Sequence, residues 1–268
     1  MFKKLCVAAA MMTVAASSFA GELVINGSTT VLPIVQKATE AFSKENPQVS
    51  ISLSGGGSGN GIKALVDGLT TIAMSSRDIK ASETELAKKN NVAPYRIAVA
   101  VDAIVPVVNN ANPVKNLTMA QLKGIYEGKI KNWKEVGGAD ASIVVVSRDS
   151  SSGTFETWEE LVMKKARVTP RALLQTSNGT VVQTVSKNKN SIGYIGIGYL
   201  DKQTKALTVD GKVATAATAK SKEWPLAREL FFFTNGQPQG DAKAFVDFML
   251  DPAKGQKCVS ETGFVPLK

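Results

Sequence analysis

The chain has 268 residues, 32 basic and 23 acidic, for a formal net charge of +9, with no histidine and two cysteines. Lack of histidine excludes a Ser-His-Asp triad, a histidine general base and a histidine-liganded zinc, and so few thiols exclude a thiolate metal cluster. The basic surplus is spread along the chain and aromatic residues make up only 6% of it, so no stacking platform for nucleic acid is expected, only a weak field that attracts anions.

Met1-Phe2-Lys3-Lys4, the apolar run from Leu5 to Val14 and Ser18-Phe19-Ala20 have the basic start, short apolar middle and small-residue end of a secretory signal peptide. Residues 1–20 are therefore expected to be removed and the remainder exported. No later stretch reaches the roughly 20 apolar residues of a membrane-spanning helix. Cys6 falls inside the leader, so Cys258 alone remains and the fold must rest on its core rather than on a disulfide.

Leu23-Val24-Ile25 predicts a first strand, followed directly by Asn26-Gly27-Ser28-Thr29-Thr30. Leu32, Val35, Ala38 and Phe42 then mark one face of a helix that stops by Asn46-Pro47. Val49, Ile51 and Leu53 alternate as a second strand. The loop Ser54 to Gly61 follows, and Ile62, Leu65, Val66 and Leu69 predict the next helix. The glycines of that loop lack the first, third and sixth spacing of a dinucleotide fingerprint, and no Gly-Lys-Ser/Thr is present for an ATPase phosphate loop. A nucleophile elbow around Ser58 fails as well, because position 60 is Asn60. Thr71 to Met74 reads as a third strand, ending in Ser75-Ser76-Arg77-Asp78, where Arg77 and Asp78 are expected to pair with each other at the surface. Ser82 with Glu85 predicts the capping box of a following helix.

The apolar run from Ile97 to Val108, interrupted by Asp102 and Pro106, is long enough to cross from one lobe to another. Thr118 with Gln121 starts a helix through Leu122 to Tyr126. Ile143 to Val146 is β-branched and apolar at every position, as a buried parallel strand is. It leads into Ser147-Arg148-Asp149-Ser150-Ser151-Ser152-Gly153-Thr154, and Phe155, Trp158, Leu161 and Val162 recur behind at helical spacing. A strand's carboxyl end thus meets a helix's amino end, where free N–H groups and the helix dipole favour negative charge. A single cap uses one serine or threonine, whereas this stretch supplies five hydroxyls and the Arg148 fork, a set suited to a small anion. Thr180 to Val185 is helical in pattern, Ile192 to Ile197 is a glycine-laced strand, and Lys202 to Lys220 reads as an exposed hairpin and loop turning at Asp210-Gly211. Glu229 to Thr234 is a second crossing strand, and Phe245, Phe248 and Met249 form one face of a closing helix. Repeated strand, polar loop and helix argue for a mostly parallel α/β sheet, with ligands at the carboxyl ends of its strands.

Taken together these stretches resemble the PstS-type periplasmic phosphate-binding proteins, receptors of phosphate ABC transporters. The resemblance rests on Asn26 to Thr30 with Pro33, on Gly57-Ser58-Gly59, on Arg148 through Thr154, and on Ile125 to Gly128 with Ile130 and Trp133. Ile192-Gly193-Tyr194 and the ending Gly263 to Leu267 add to it. It implies a type II two-lobe binding protein, each lobe a mixed, mostly parallel sheet flanked by helices. Residues 21–101 and 230–268 would form lobe I and residues 102–229 lobe II, joined by two crossing strands. It also implies that Ser28, Thr29, Thr30, Ser58, Ser76, Arg148, Ser152, Gly153 and Thr154 surround inorganic phosphate. Neither cofactor, metal nor catalytic residue is implied. The protein would be a periplasmic monomer, without a transmembrane segment after leader removal and without nucleic acid, whose partners are the transporter's permease subunits. One departure bears on ligand choice: Ser76 stands where many relatives have an aspartate that accepts the proton of hydrogen phosphate. Asp149 beside Arg148 can supply that charge or orient the arginine, and sulfate, molybdate or an exported phosphatase activity are the alternatives.

Overall fold

The computed structural model describes residues 22–267, so the expected leader, with Cys6, lies outside the described residues. In chain order the first elements are β1 (Leu23–Gly27), α1 (Leu32–Glu45), β2 (Ile51–Gly55), α2 (Ser58–Val66), β3 (Ile72–Ser75), α3 (Ala81–Lys89) and β4 (Pro94–Asn109). There follow β5 (Asn116–Leu117), α4 (Met119–Glu127), β6 (Val144–Arg148), α5 (Gly153–Leu161), β7 (Leu173–Gln175), α6 (Asn178–Lys187) and β8 (Ser191–Gly196). The chain closes with β9 (Thr204–Ala206), β10 (Thr208–Val209), α7 (Ala216–Lys220), β11 (Ala227–Asn235), α8 (Gly240–Leu250) and α9 (Gly255–Glu261).

The strands run in the order β2-β1-β3-β11-β4-β8-β6-β7, with β9 added on β4. Pairing of β1 with β2 and β3 is parallel, as is pairing of β6 with β7 and β8, while β11 and β4 are antiparallel. The long strand β4 serves both halves, since Pro94 to Ala103 pairs with β11 and Ile104 to Val108 with β8. A register shift at Leu230/Phe231, opposite Ala100 and Ala98 of β4, marks a bulge within the part paired with β11, the device that lets a long strand bend.

Side-chain alternation sorts the core. Ile25, Met74, Leu230 and Phe232 face α1, α8 and α9, whereas Ala73, Phe231 and Phe233 face α2 and α3. A separate core begins at Ala103 and Ile104 and takes in Tyr126, Trp158, Val181, Tyr194 and Leu226. Its centre is a stack of Trp158 on Tyr194, with ring centroids 4.2 Å apart.

Several local expectations change in three dimensions. The helix α2 ends at Val66, and Leu69, expected on its buried face, lies beyond it and is 71% exposed. Helix α3 starts before Ser82: its first turn is closed by Glu83, whose Oε2 accepts from Lys80 N–H at 2.9 Å, so Ser82 and Glu85 are not its capping box. The closing helix is as expected, with Phe245, Phe248 and Met249 on the buried face of α8, but a further short helix, α9, follows after Asp251-Pro252, where proline cannot continue the ladder. The Lys202 to Lys220 stretch does turn at Asp210-Gly211, both at positive φ, but it also contributes β9, β10 and α7. Among the described residues no helix is long and apolar enough to cross a membrane.

Candidate functional site

Four strand-to-helix junctions converge where the two cores meet: β1 to α1, β2 to α2, β6 to α5 and β7 to α6. Each helix start offers N–H groups without an intrahelical acceptor. The first junction is shaped by Ser28, whose Oγ accepts from Thr30 N–H at 3.1 Å and from Val31 N–H at 3.4 Å, so that Thr29 and Thr30 face across to the second core. At the second, Gly57 has φ +100° and an added Cβ would lie 2.4 Å from Ser151 Oγ, so only glycine fits. Ser58 follows as the first residue of α2. Its Oγ accepts from Ser76 N–H at 3.0 Å and lies 3.2 Å from Ser76 Oγ.

At the third junction β6 runs further than its apolar run and places Arg148 on its last position, paired with Gln175 of β7. Arg148 N–H donates to Tyr194 Oη at 3.2 Å, Nε–H to Gln175 O at 3.0 Å, and Nη2–H to Thr176 O at 3.0 Å and Thr29 Oγ1 at 3.3 Å. Nη1 has no hydrogen-bond partner among the described residues, although the residue is only 2% exposed. The nearest carboxylate, Asp149, is 3.9 Å from Nη2 and instead accepts from Ser151 N–H at 2.9 Å and Ser151 Oγ–H at 2.5 Å. Burial pushes the Arg148 guanidinium below its ordinary value, partly offset by Asp149 and the nearby tyrosines. It stays cationic, as arginine in proteins does. Ser152 Oγ caps α5 by accepting from Phe155 N–H at 3.2 Å. Gly153 backs onto the serine pair so closely that a Cβ would sit 2.4 Å from Ser58 Oγ and 2.8 Å from Ser76 Oγ.

Thr154 Oγ1 meets Thr30 Oγ1 at 3.0 Å, joining the first and third junctions directly. Ser28, Thr29, Thr30, Ser58, Ser76, Arg148, Ser152, Gly153 and Thr154 are therefore all buried and gathered in one cluster. Within it the hydroxyls of Ser28 and Ser152 hold their own turns.

Three further participants lie outside the loops that the sequence singles out. Asn178, at the start of α6, donates Nδ2–H to Thr30 Oγ1 at 3.0 Å and to Thr29 Oγ1 at 3.4 Å. Asp102, fully buried on β4, accepts Arg228 Nε–H at 2.9 Å and Nη2–H at 2.7 Å. Arg228, opposite it on β11, also donates from Nη2 to Thr154 Oγ1 at 3.0 Å and Thr30 Oγ1 at 3.4 Å. The signals for them were Asp102 interrupting an apolar run and the polar stretch Thr176-Ser177-Asn178, which repeats the strand-loop-helix order after a strand too short to stand out.

Arg77 departs from its expected place. It is 9% exposed and does not pair with the Asp78 carboxylate: Nη1–H and Nη2–H donate to Glu83 Oε2 and Oε1 at 2.8 and 2.7 Å, and Nε meets Glu156 of α5. The Asp78 carboxylate lies 3.1 Å from Arg96 Nε. Burial works against the Arg77 charge, but its hydrogen bonding to Glu83 and the fields of Glu156 and Glu83 outweigh it and raise the pKa. An apolar groove of about 510 Å³ beside Leu250, Gln256 and Leu267 shares no residue with the cluster. The chemistry of the cluster is thus concentrated donation: hydroxyls, helix-start N–H groups and an arginine with no close carboxylate, arranged to surround a small oxyanion.

A family model described as a PBP superfamily domain matches residues 13–253. Among curated proteins the chain is similar to the phosphate-binding protein PstS of Borreliella burgdorferi, at 34% identity over 91% of this chain and 89% of that one. It is also similar to the phosphate-binding protein PstS of Bacillus subtilis, at 33% identity over 92% of this chain and 81% of that one. Among solved structures, a Clostridium perfringens substrate-binding protein crystallised with bound phosphate superimposes with a TM-score of 0.87 at 36% identity, covering 92% of this chain and 100% of that one. A Vibrio cholerae ABC-type phosphate transport receptor follows with a TM-score of 0.75 at 34% identity, over 91% and 99% of the two chains.

Proposed function

The chain belongs to the PBP superfamily and, within it, to the PstS-type phosphate-binding proteins, and on that premise we propose that its buried cluster binds inorganic phosphate with high affinity for delivery to an ABC transporter. The observation that carries the reading is Arg148: a guanidinium 2% exposed, with Nη1 unpartnered among the described residues and no carboxylate nearer than 3.9 Å. A buried charge without a counter-charge is strongly disfavoured, and a bound anion removes that penalty. Thr29, Thr30, Ser58, Ser76, Ser152, Gly153 and Thr154 supply the surrounding hydroxyl and backbone donors, and Ser28 shapes their loop.

In this reading residues 21–101 and 230–268 form lobe I, residues 102–229 form lobe II, and the anion lies between them. Supporting it, the apolar cores part between Ala100 and Ala103 on β4 and between Leu226 and Leu230 at β11. Residues 1–20 act as an export signal, the product works in the periplasm as a monomer, and the closed pair of lobes is what the permease subunits recognise. It is a receptor rather than an enzyme; a chain without histidine has no histidine base for ester hydrolysis.

Calorimetric titration with phosphate, followed by competition with sulfate and molybdate, tests the ligand. Phosphate is expected to bind and the others to compete weakly. Ser76 presents a hydroxyl where an acceptor carboxylate would reject sulfate, so sulfate binding as tightly as phosphate would replace phosphate by a broader oxyanion receptor. Turnover of a chromogenic phosphate ester would overturn the receptor reading.

A further inference from the structure

The hydrogen bonds behind the threonines fix the direction in which their protons point. Asn178 Oδ1 accepts from Gly196 N–H at 3.1 Å, which settles the amide's orientation and turns Nδ2 toward Thr29 and Thr30. A hydroxyl has one proton and two lone pairs. Thr29 Oγ1 receives Arg148 Nη2–H and Asn178 Nδ2–H, so both lone pairs are engaged and its proton is left for another acceptor. Thr30 and Thr154 share one hydrogen bond at 3.0 Å. With Thr30 as its donor, Asn178 and Arg228 fill both lone pairs of Thr30, and Thr30 and Arg228 fill both of Thr154; the reverse direction would crowd three donors onto Thr30 and is disfavoured. One O–H is again left over.

We infer that Asn178, assisted by Arg228, is a positioning residue that makes the threonine side of the site an obligate donor surface, which favours ligand oxygens carrying no proton because a P–OH placed there finds no acceptor for its own proton. Resting on the phosphate reading, the inference deepens it by assigning a polarity to part of the site. Arg228 is held for this task by Asp102, whose other oxygen accepts from Ile197 N–H at 3.0 Å, so the pair is anchored on both crossing strands and its reach to the hydroxyls is fixed.

The test is Asn178→Asp, which keeps the acceptor for Gly196 N–H but replaces the donor with an acceptor. In the variant the threonine protons turn back toward the carboxylate, and the site loses donors. Phosphate affinity at pH 8 is expected to fall by at least about 100-fold, the scale of losing more than one charge-assisted hydrogen bond. Anion binding should then drive protonation of the new carboxyl, which as a neutral acid donates again. The deficit relative to the native protein should therefore narrow as pH falls from 8 to 5, by up to roughly tenfold per pH unit while binding takes up one proton. The titratable and charged groups linked to the threonines, Arg148 with Asp149 and Tyr194, Arg228 with Asp102, and Tyr199, are the same in both proteins, so the ratio isolates the exchanged group. Asn178→Ala, which removes the donor without adding a titrating group, should show a smaller loss whose ratio to native is flat with pH.

An Asn178→Asp protein that binds phosphate like the native one at pH 8, or whose deficit is constant from pH 8 to 5, overturns the inference, and so does native-like affinity in Asn178→Ala. Thermal melting without ligand shows whether each variant is folded. Failure of the native protein itself to bind phosphate would fault the functional reading instead, and the same variants would then be titrated with whichever anion the native protein binds in the competition series.

Discussion

Arg77 and Arg148 sit at the carboxyl ends of strands on opposite sides of the same junction, both nearly inaccessible, yet their surroundings are opposite. Arg77 is ringed by acid: Glu83 takes both terminal nitrogens, Glu156 meets Nε from α5, and Lys80 Nζ adds a contact to Glu156 at 3.1 Å. Arg148 is ringed by carbonyls and a hydroxyl, with its carboxylate neighbour turned to Ser151. The first guanidinium is neutralised by the protein and ties α3 to α5. The second is left for an external anion. Burial of an arginine therefore says little about binding; what matters is whether the chain supplies its counter-charge.

Crossed effects of single substitutions sharpen this contrast. Arg148→Ala should reduce phosphate affinity by about 100-fold or more, since hydrogen bonds to charged groups contribute about 1.5–3 kcal/mol each. Its melting temperature without ligand should stay near native, because no close ion pair is broken; a large fall in both would erase the distinction. Arg77→Ala should do the reverse, lowering unfolding stability by about 2–4 kcal/mol in denaturant titration by leaving two largely buried carboxylates without their partner. Affinity should then fall only severalfold, and a loss equal to that of Arg148→Ala would place Arg77 in the site. Between these lies Gly153→Ala: a Cβ 2.4 Å from Ser58 Oγ forces the junctions apart, and overpacking of this kind costs about 1–3 kcal/mol, here read as a roughly 5- to 100-fold weaker titration. The smallest effect belongs to Glu156→Gln, which removes charge from the contact of Arg77 with α5 while keeping its shape. If that contact forms on closure, affinity should drop about two- to fivefold, or about 0.5–1 kcal/mol, with ligand selectivity unchanged, because Glu83 still neutralises Arg77 and the amide keeps an acceptor oxygen.

The amino-acid order by itself determined the elements and the donor loops. Apolar periodicity placed β1, α1, β6 and α6 closely, and runs of Ser, Thr and Gly between strand and helix marked the junctions at Thr29, Ser58 and Thr154, because both signals are written in neighbouring residues. The same local logic failed where a capping group or a helix end was decided by packing, as at Glu83 and Leu69. It failed more fully for charge. Nothing adjacent to Arg77 announces Glu156, nothing near Asp102 announces Arg228, and Asn178 reaches Thr30 across 148 positions of chain. Which charges are neutralised within the protein, and which hydroxyls are compelled to donate outward, depends on groups brought within 3 to 4 Å by the antiparallel crossing of β4 and β11 and by the meeting of the two cores. Only the tertiary structure decided that, because desolvation and hydrogen-bond direction are properties of what surrounds a side chain in space.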